Sequence, residues 1–98
     1  MTGEAVVPAF GEAVVPVFGT GVKFRLDTVR SAWVVLSPER LFLPDEQATE
    51  ILKLVDGIRS LGGIIDVLAE RFDAPRATIA DDVTSMLRDL GDKGVVRW

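Results

Sequence analysis

Apolar and charged residues alternate along residues 22–27, which read VKFRLD. A period of two is typical of a strand with one face in the core, so its three apolar side chains should point inward. Residues 33–36 (WVVL) are apolar on both faces and rich in β-forming side chains. A Ser-Pro-Glu turn signal then precedes residues 40–43 (RLFL), a third short strand that Pro44 stops. Because short connections favour antiparallel neighbours, we predict a three-stranded meander.

After Pro44 the apolar period changes from two to about 3.6, which predicts three helices. Asp56-Gly57 should end the first helix, Pro75 should be the first residue of the third, and Gly94 should close it. Gly62 and Gly63 are unfavourable in the first turn of the second helix. The apolar faces comprise Ala48, Ile51, Leu52 and Val55 in the first helix, Leu61, Ile64, Ile65, Leu68 and Phe72 in the second, and Ile79, Val83, Met86, Leu87 and Leu90 in the third.

Three strands followed by three helices indicate an α+β fold. We predict a winged-helix-like arrangement, in which a three-stranded antiparallel sheet precedes a three-helix bundle. Residues 95–98 should either add a short terminal strand or pack beneath the sheet.

The N-terminal segment contains a direct duplication, since residues 3–10 read GEAVVPAF and residues 11–18 read GEAVVPVF. Two short copies are too few for a solenoid, and glycine and proline interrupt both helix and strand. We therefore predict a flexible tail or linker remnant in residues 1–20 and a folded domain in residues 21–98, beginning near Val22. The alternative is that the apolar AVVP stretches dock on the domain.

Composition excludes several kinds of site. The 98 residues suffice for one domain, and they contain neither cysteine nor histidine. Disulfides and thiolate chemistry are thereby excluded, and the commonest metal ligand and general base is missing. We expect no enzyme activity, no cofactor and no bound metal. The start of the chain does not read as a secretory signal, and no apolar run is long enough to span a bilayer, so we expect a cytoplasmic protein without membrane contact.

The charge pattern disfavours nucleic acid as a partner. The formal net charge is -4, whereas nucleic-acid binders normally carry a basic excess that neutralises phosphates. A helix-turn-helix interpretation would make the third helix the recognition helix, but its acidic residues outnumber its basic ones. The acidic residues also form pairs suited to acid/base work, although such pairs on an amphipathic helix are usually its solvated side. The acids are Asp81, Asp82, Asp89 and Asp92, and the bases are Arg76, Arg88 and Lys93.

The two edges of the predicted meander differ. Lys23 and Arg25 lie on the first edge, where charges discourage unwanted pairing. Residues 41–43 on the third strand are apolar, so this edge is either covered by the protein itself or open to a partner strand. About four backbone hydrogen bonds at roughly 0.5–1.5 kcal/mol each barely offset an association cost of about 4–15 kcal/mol. A bound strand would therefore need apolar anchors in a groove, and the third helix is the natural far wall.

Two runs of the sequence are similar to a known family: PERLFLPDEQATEILKLVDGIRSLGGIIDVLAERFDAP and DDVTSMLRDLGDKGVV. Their most telling parts are residues 48–52 (ATEIL), the Asp56-Gly57 helix stop, and Asp82-Val83 ahead of Leu87 and Leu90. In order and spacing they resemble the pyrroloquinoline quinone biosynthesis protein D family over about residues 20–97.

The resemblance implies a peptide-recognition role. Members of this family bind the ribosomally made precursor of the quinone cofactor and present it to a radical S-adenosylmethionine enzyme. The peptide adds as a strand beside the third strand and lies against the third helix. Carried over, the strand residues are Arg40, Leu41, Phe42 and Leu43, and the groove residues are Val83, Leu87 and Arg88.

One departure from the family pattern and two alternatives remain. Pro44 stands where many relatives carry a capping asparagine, and Asp45 can cap the helix one residue later. The first alternative is a helix-turn-helix domain that acts in transcription. The second is a scaffold that docks the modifying enzyme without gripping the peptide.

Overall fold

A computed structural model describes residues 10–98 of the chain. Strands β2, β3 and β4 form an antiparallel sheet in that order, and β1 pairs antiparallel with β5 in a second, two-stranded sheet. The α+β class, the three-stranded antiparallel sheet and the three helices are confirmed. The elements in chain order are β1 (Val17–Phe18), β2 (Lys23–Asp27), β3 (Ala32–Leu36), β4 (Leu41–Phe42), α1 (Glu46–Leu52), α2 (Leu61–Phe72), α3 (Arg76–Asp92) and β5 (Val96–Arg97).

The inward face of β2 is shorter than its alternation predicts. Phe24 packs between two aromatic rings, with centroid distances of 4.7 Å to Trp33 and 5.9 Å to Phe18. Leu26 belongs to the same predicted face, yet it is 50% exposed. It lies near the hairpin end of β2, close to a turn whose Val29 points into solvent, so about half of its surface stays in water. The prediction that Leu26 lies in the core is therefore wrong.

One core joins the sheet to the helices, and the apolar faces predicted for the helices supply most of it. Phe72 is the clear exception, because it lies at the exposed end of α2. None of the helices in residues 10–98 is both long and apolar enough to cross a membrane. The buried cluster comprises Val35, Ile51, Leu52, Leu54, Val55, Leu61, Ile64, Ile65, Leu68, Val83, Leu87, Leu90, Val95 and Val96.

Helix α1 begins as predicted and ends earlier. The side chain of Asp45 accepts a hydrogen bond from the backbone N–H of Ala48 at 2.8 Å, so Asp45 is the N-cap after Pro44. The predicted end at Asp56-Gly57 is wrong, because the helix ends at Leu52. The N–H groups of Leu54 and Val55 bond three residues back, at 3.0 and 3.1 Å, which tightens the chain after the helix.

Helix α3 is flanked by the two residues that the sequence marks as its limits. Pro75 precedes the helix as its N-cap, one position before the first helical residue that we predicted it to be. Gly94 has φ of 77°, a left-handed conformation that glycine adopts at little cost, and it turns the chain away after the helix. Val95 and Val96 are buried beyond this turn, and Val96–Arg97 form β5. A terminal strand is thus the correct one of the two predicted outcomes for this segment.

The second copy of the duplicated motif packs on the domain. The carbonyl oxygens of Glu12 and Val14 accept hydrogen bonds from the N–H groups of Gly62 and Leu61, at 2.9 and 2.7 Å. Pro16 is fully buried, and Val17–Phe18 pair with β5. The packed chain therefore starts by Phe10, earlier than the boundary that we predicted near Val22. The tail or linker predicted for the start of the chain stays a prediction for residues 1–9, which lie outside the described residues.

This docking explains the first of the two glycines at the start of α2. A Cβ atom on Gly62 would lie 3.0 Å from Oε1, 3.2 Å from Cβ and 3.3 Å from the carbonyl oxygen of Glu12. Glu12 is held in place, since Arg76 donates to its two carboxylate oxygens at 2.7 and 3.1 Å. These hydrogen bonds from Arg76 are the main reason why the pKa of Glu12 lies below its usual value. Gly62 is therefore required by a close approach of two segments.

Replacing Leu87 with alanine should lower the free energy of unfolding by about 2–5 kcal/mol, because the side chain is 0% exposed and its loss would leave a cavity. Urea denaturation followed by circular dichroism measures the change. Ser85→Ala, at an exposed position of the same helix, should change stability by less than about 0.5 kcal/mol. Equal stability of Leu87→Ala and the wild type would mean that the core face of α3 is misassigned.

Gly62→Ala and Gly63→Ala should have different effects although the residues are neighbours. A Cβ on Gly63 would make ordinary contacts, the nearest at 3.5 Å, so Gly63→Ala should stabilise the helix by about 0.5–1 kcal/mol. Gly62→Ala should leave the stability of the protein unchanged or lower it. The carbonyl oxygen of Glu12 accepts a hydrogen bond from the N–H of Gly62, so it cannot move away from the added Cβ. Thermal unfolding of both variants checks this. An equal gain from both would show that residues 11–14 do not lie against α2 in solution.

Candidate functional site

The outer edge of β4 carries no strand in the part of the chain that the structure describes. On its inner side, Leu41 and Phe42 pair with Leu36 and Val35 of β3. Residues 17–18 pair with β5 instead of β4, so they leave this edge uncovered. The sequence left open whether the edge is covered or free, and within residues 10–98 it is free.

A groove lies between β4 and α3, with a cavity volume of about 340 Å³. Its floor is formed by the core residues Val35 of β3, Leu90 of α3 and Val95, which precedes β5. Phe42 and Leu43 line the groove on the side of β4, so a strand added to the free edge of β4 would place alternate side chains over the groove. The lining residues are Val35, Phe42, Leu43, Pro44, Asp45, Ala48, Met86, Asp89, Leu90, Lys93 and Val95.

The four predicted strand residues lie together at this edge. Leu41 and Leu43 are 39% and 61% exposed, whereas Phe42 turns inward and packs against the core. The guanidinium carbon of Arg40 lies 5.2 Å from the ring centroid of Phe42, a cation–π contact. Phe42 and Leu43 both line the groove. The edge thus offers two exposed leucines and one aromatic ring beside free backbone groups.

The three predicted groove residues of α3 lie elsewhere. Val83 and Leu87 are buried in the core, so they support the helix and present little surface to a ligand beside β4. Arg88 is exposed, and its guanidinium carbon lies 5.0 Å from the ring centroid of Phe10. Phe10 in turn contacts Trp98, with a centroid distance of 4.4 Å. The structure does not bring Arg88 together with Phe42, and a role of Arg88 in binding stays a prediction that this groove does not support.

Helical geometry explains why α3 lines the groove with residues other than the predicted ones, because successive residues of an α-helix are rotated by about 100°. Met86, Asp89 and Lys93 share one side of α3 and line the groove, and Arg88 projects to another side. Lys93 donates to Asp89 through an ion pair of 2.9 Å. Sequence reasoning missed these three residues as site residues, since it placed Met86 in the core and treated Asp89 as a solvated acid. The three residues are spaced three and four apart, which places them on one side of the helix next to its core face. This spacing is the sequence signal that could have identified them.

The groove has the features of a binding surface. Within residues 10–98, no group of three or more acidic side chains is arranged to hold a metal ion. The groove pairs an apolar floor with one ion pair on its rim, which suits an extended peptide with apolar anchors.

Comparisons with known proteins agree on one family. The family model described as coenzyme PQQ synthesis protein D (PqqD) matches residues 32–96. A "PqqA binding protein" of Rhodopseudomonas palustris strain BisB5 is 54% identical over 72 residues, which cover 74% of this chain and 71% of that protein. The bifunctional coenzyme PQQ synthesis protein C/D of Methylorubrum extorquens is 41% identical over 88 residues, which cover 90% of this chain and 24% of that protein.

A solved structure is similar over nearly the whole chain. It is the solution structure of the PqqD truncation of Methylobacterium extorquens PqqCD, described as a stand-alone recognition element for ribosomally synthesised and post-translationally modified peptides. It is 40% identical, covers 92% of this chain and 96% of its own, and has a TM-score of 0.75. The extent of these matches leads to one conclusion: this chain belongs to the PqqD family.

Proposed function

We propose that this protein binds the precursor peptide PqqA by strand addition to the outer edge of β4. The observation that carries the proposal is the free apolar edge beside a groove whose far wall is α3. The relatives named as PqqA binding proteins supply the identity of the peptide. Val83 and Leu87 hold α3 in place, while Met86, Asp89 and Lys93 face the ligand.

The energetics require both the edge and the groove. Strand β4 has two residues in the ladder, so a bound strand gains few backbone hydrogen bonds, each contributing about 0.5–1.5 kcal/mol. Two apolar side chains that become buried in the groove would add about 1.5–3 kcal/mol each. The backbone would then determine the direction and register of the peptide, and Phe42, Leu43 and Met86 would determine which side chains fit.

The role extends to a partner enzyme. The protein would hold PqqA in an extended form and present it to the radical S-adenosylmethionine enzyme of the pathway, without performing chemistry itself. The bifunctional relative, in which the C and D proteins form one chain, supports a place close to other enzymes of this synthesis.

The winged-helix-like description fits the element order, and a cytoplasmic location stays a prediction.

An amide NMR titration with synthetic PqqA of Rhodopseudomonas palustris tests the proposal. Shifts should concentrate on residues 40–43 and on the side of α3 that carries Met86, Asp89 and Lys93. The titration contains no modifying enzyme, so it also separates peptide binding from a scaffold that docks the enzyme alone. A flat titration in the folded protein would sink the proposal.

Phe42→Asp should weaken PqqA binding by about tenfold or more, because a charged group replaces an apolar wall of the groove that contributes about 1.5–3 kcal/mol. Isothermal titration calorimetry measures the affinity. Since Phe42 also packs against the core, Leu43→Asp serves as a second variant at a residue that is more exposed.

The matched control is Leu26→Asp, at an exposed apolar residue on the opposite edge of the same sheet. It should bind PqqA like the wild type. If both edge-β4 variants stay folded and bind normally, or if Leu26→Asp is the weaker binder, the peptide site lies elsewhere.

A further inference from the structure

A second cavity, of about 360 Å³, lies between α1, the end of α2 and α3, outside the groove beside β4. Its floor is apolar, and one of its walls is Phe72, a phenylalanine that is 53% exposed. Carboxylates line its rim. We refer to it as the α1–α3 cleft, and its lining residues are Glu46, Gln47, Glu50, Ile51, Leu68, Phe72, Ile79, Asp82 and Val83.

The cleft is continuous with the groove beside β4. A shallow depression between them is lined by Gln47, Asp82, Ser85, Met86 and Asp89. It shares Gln47 and Asp82 with the cleft and shares Met86 and Asp89 with the groove. The three concave regions therefore form one channel along α3, which starts at the free edge of β4 and ends at Phe72.

The charges of the cleft are only partly compensated. Glu50 accepts from Lys53 at 3.1 Å and from Arg71 at 3.0 Å. Glu46 and Asp82 form no ion pair within 4.0 Å with any group in residues 10–98, although they flank the same apolar floor. An apolar floor between two free carboxylates complements a ligand that carries a large apolar side chain next to a cation.

The length of the channel suits an extended peptide. From Met86 to Ile79 along α3 is seven residues, or about 10 Å at about 1.5 Å per residue. About three extended residues span that distance, at about 3.3 Å each. Leu43, Pro44 and Asp45 line the groove, and the next residue along the chain, Glu46, lines the cleft.

We infer that the α1–α3 cleft binds the continuation of the same precursor peptide, beyond the segment that pairs with β4. It selects a stretch in which a large apolar residue stands next to lysine or arginine. The apolar side chain packs on Phe72 and Ile79, and the cation lies between Glu46 and Asp82. This inference rests on the proposed function, because the continuity of the channel is what assigns the occupant.

The double variant Glu46→Gln/Asp82→Asn tests the electrostatic part while it keeps side-chain shape. Its affinity for synthetic PqqA should fall by about two- to tenfold at low salt, as expected for the loss of two exposed charge pairs. Asp81→Asn is the matched control, because Asp81 is an exposed acid on the same helix that does not line the cleft. The affinity of this control for PqqA should stay within about 1.5-fold of the wild type, because an exposed charge without a partner contributes little.

A second arm uses PqqA in which all lysines and arginines are replaced by glutamine. This peptide should bind the wild-type protein more weakly than unmodified PqqA does. Its affinity should fall little further when the protein is the double variant, because the effects of removing two groups in direct contact are not additive. Additive losses would mean that the cations of the peptide do not meet Glu46 and Asp82, and would overturn the inference.

Amide shifts separate failure of the inference from failure of the proposed function. Shifts at residues 40–43 together with residues 72, 79 and 82 support both. Shifts at residues 40–43 alone, with normal affinity of the double variant, leave strand addition in place and overturn the cleft assignment. Shifts in the cleft that need the modifying enzyme identify the enzyme as occupant and overturn the inference. A titration without shifts at residues 40–43 overturns both.

Discussion

Burial of one apolar stripe on α3 positions every surface of the proposed site. Val83, Leu87 and Leu90 must leave water, and they do so against the core that α2 and β3 share. Once this stripe is fixed, the side of the helix that carries Met86 and Asp89 faces β4 at groove distance. The proposed binding surface is therefore a by-product of core packing, and it depends on Leu87, which lines neither the groove nor the cleft.

Residues 10–18 pack away from the free edge of β4. The second motif copy binds across the start of α2 through Glu12, Arg76 and Gly62, and then pairs with β5. Phe18 stacks on Phe24, which joins the small sheet to the large one on the side away from β4. These contacts hold residues 11–18 against α2 and β5, so they do not add to the apolar edge of β4.

Much of the fold, and the position of the strand residues in the candidate site, could be predicted from the sequence. An apolar period of two predicted the strands and a period of about 3.6 predicted the helices, because this periodicity indicates which face of an element is buried. It does not report what covers that face, so Leu26 was misplaced. The docking of residues 11–18 was underestimated, since it depends on Glu12 and Arg76, which are 64 residues apart. Arg88 was grouped with Phe42 by resemblance, whereas the rotation of α3 turns it towards Phe10.

The two edges of the three-stranded sheet differ in a way that makes strand addition one-sided. Lys23 and Arg25 lie exposed on β2, so a peptide pairing there would place its side chains beside two cations. Leu41 of β4 and Leu43, just after it, are exposed, and both lie beside the groove that Phe42 and Leu43 line. An open apolar edge favours aggregation, and natural sheets normally protect such edges with charge. Within residues 10–98 one edge is protected in that manner and the other is short and uncovered, which is the arrangement that the proposed strand addition requires.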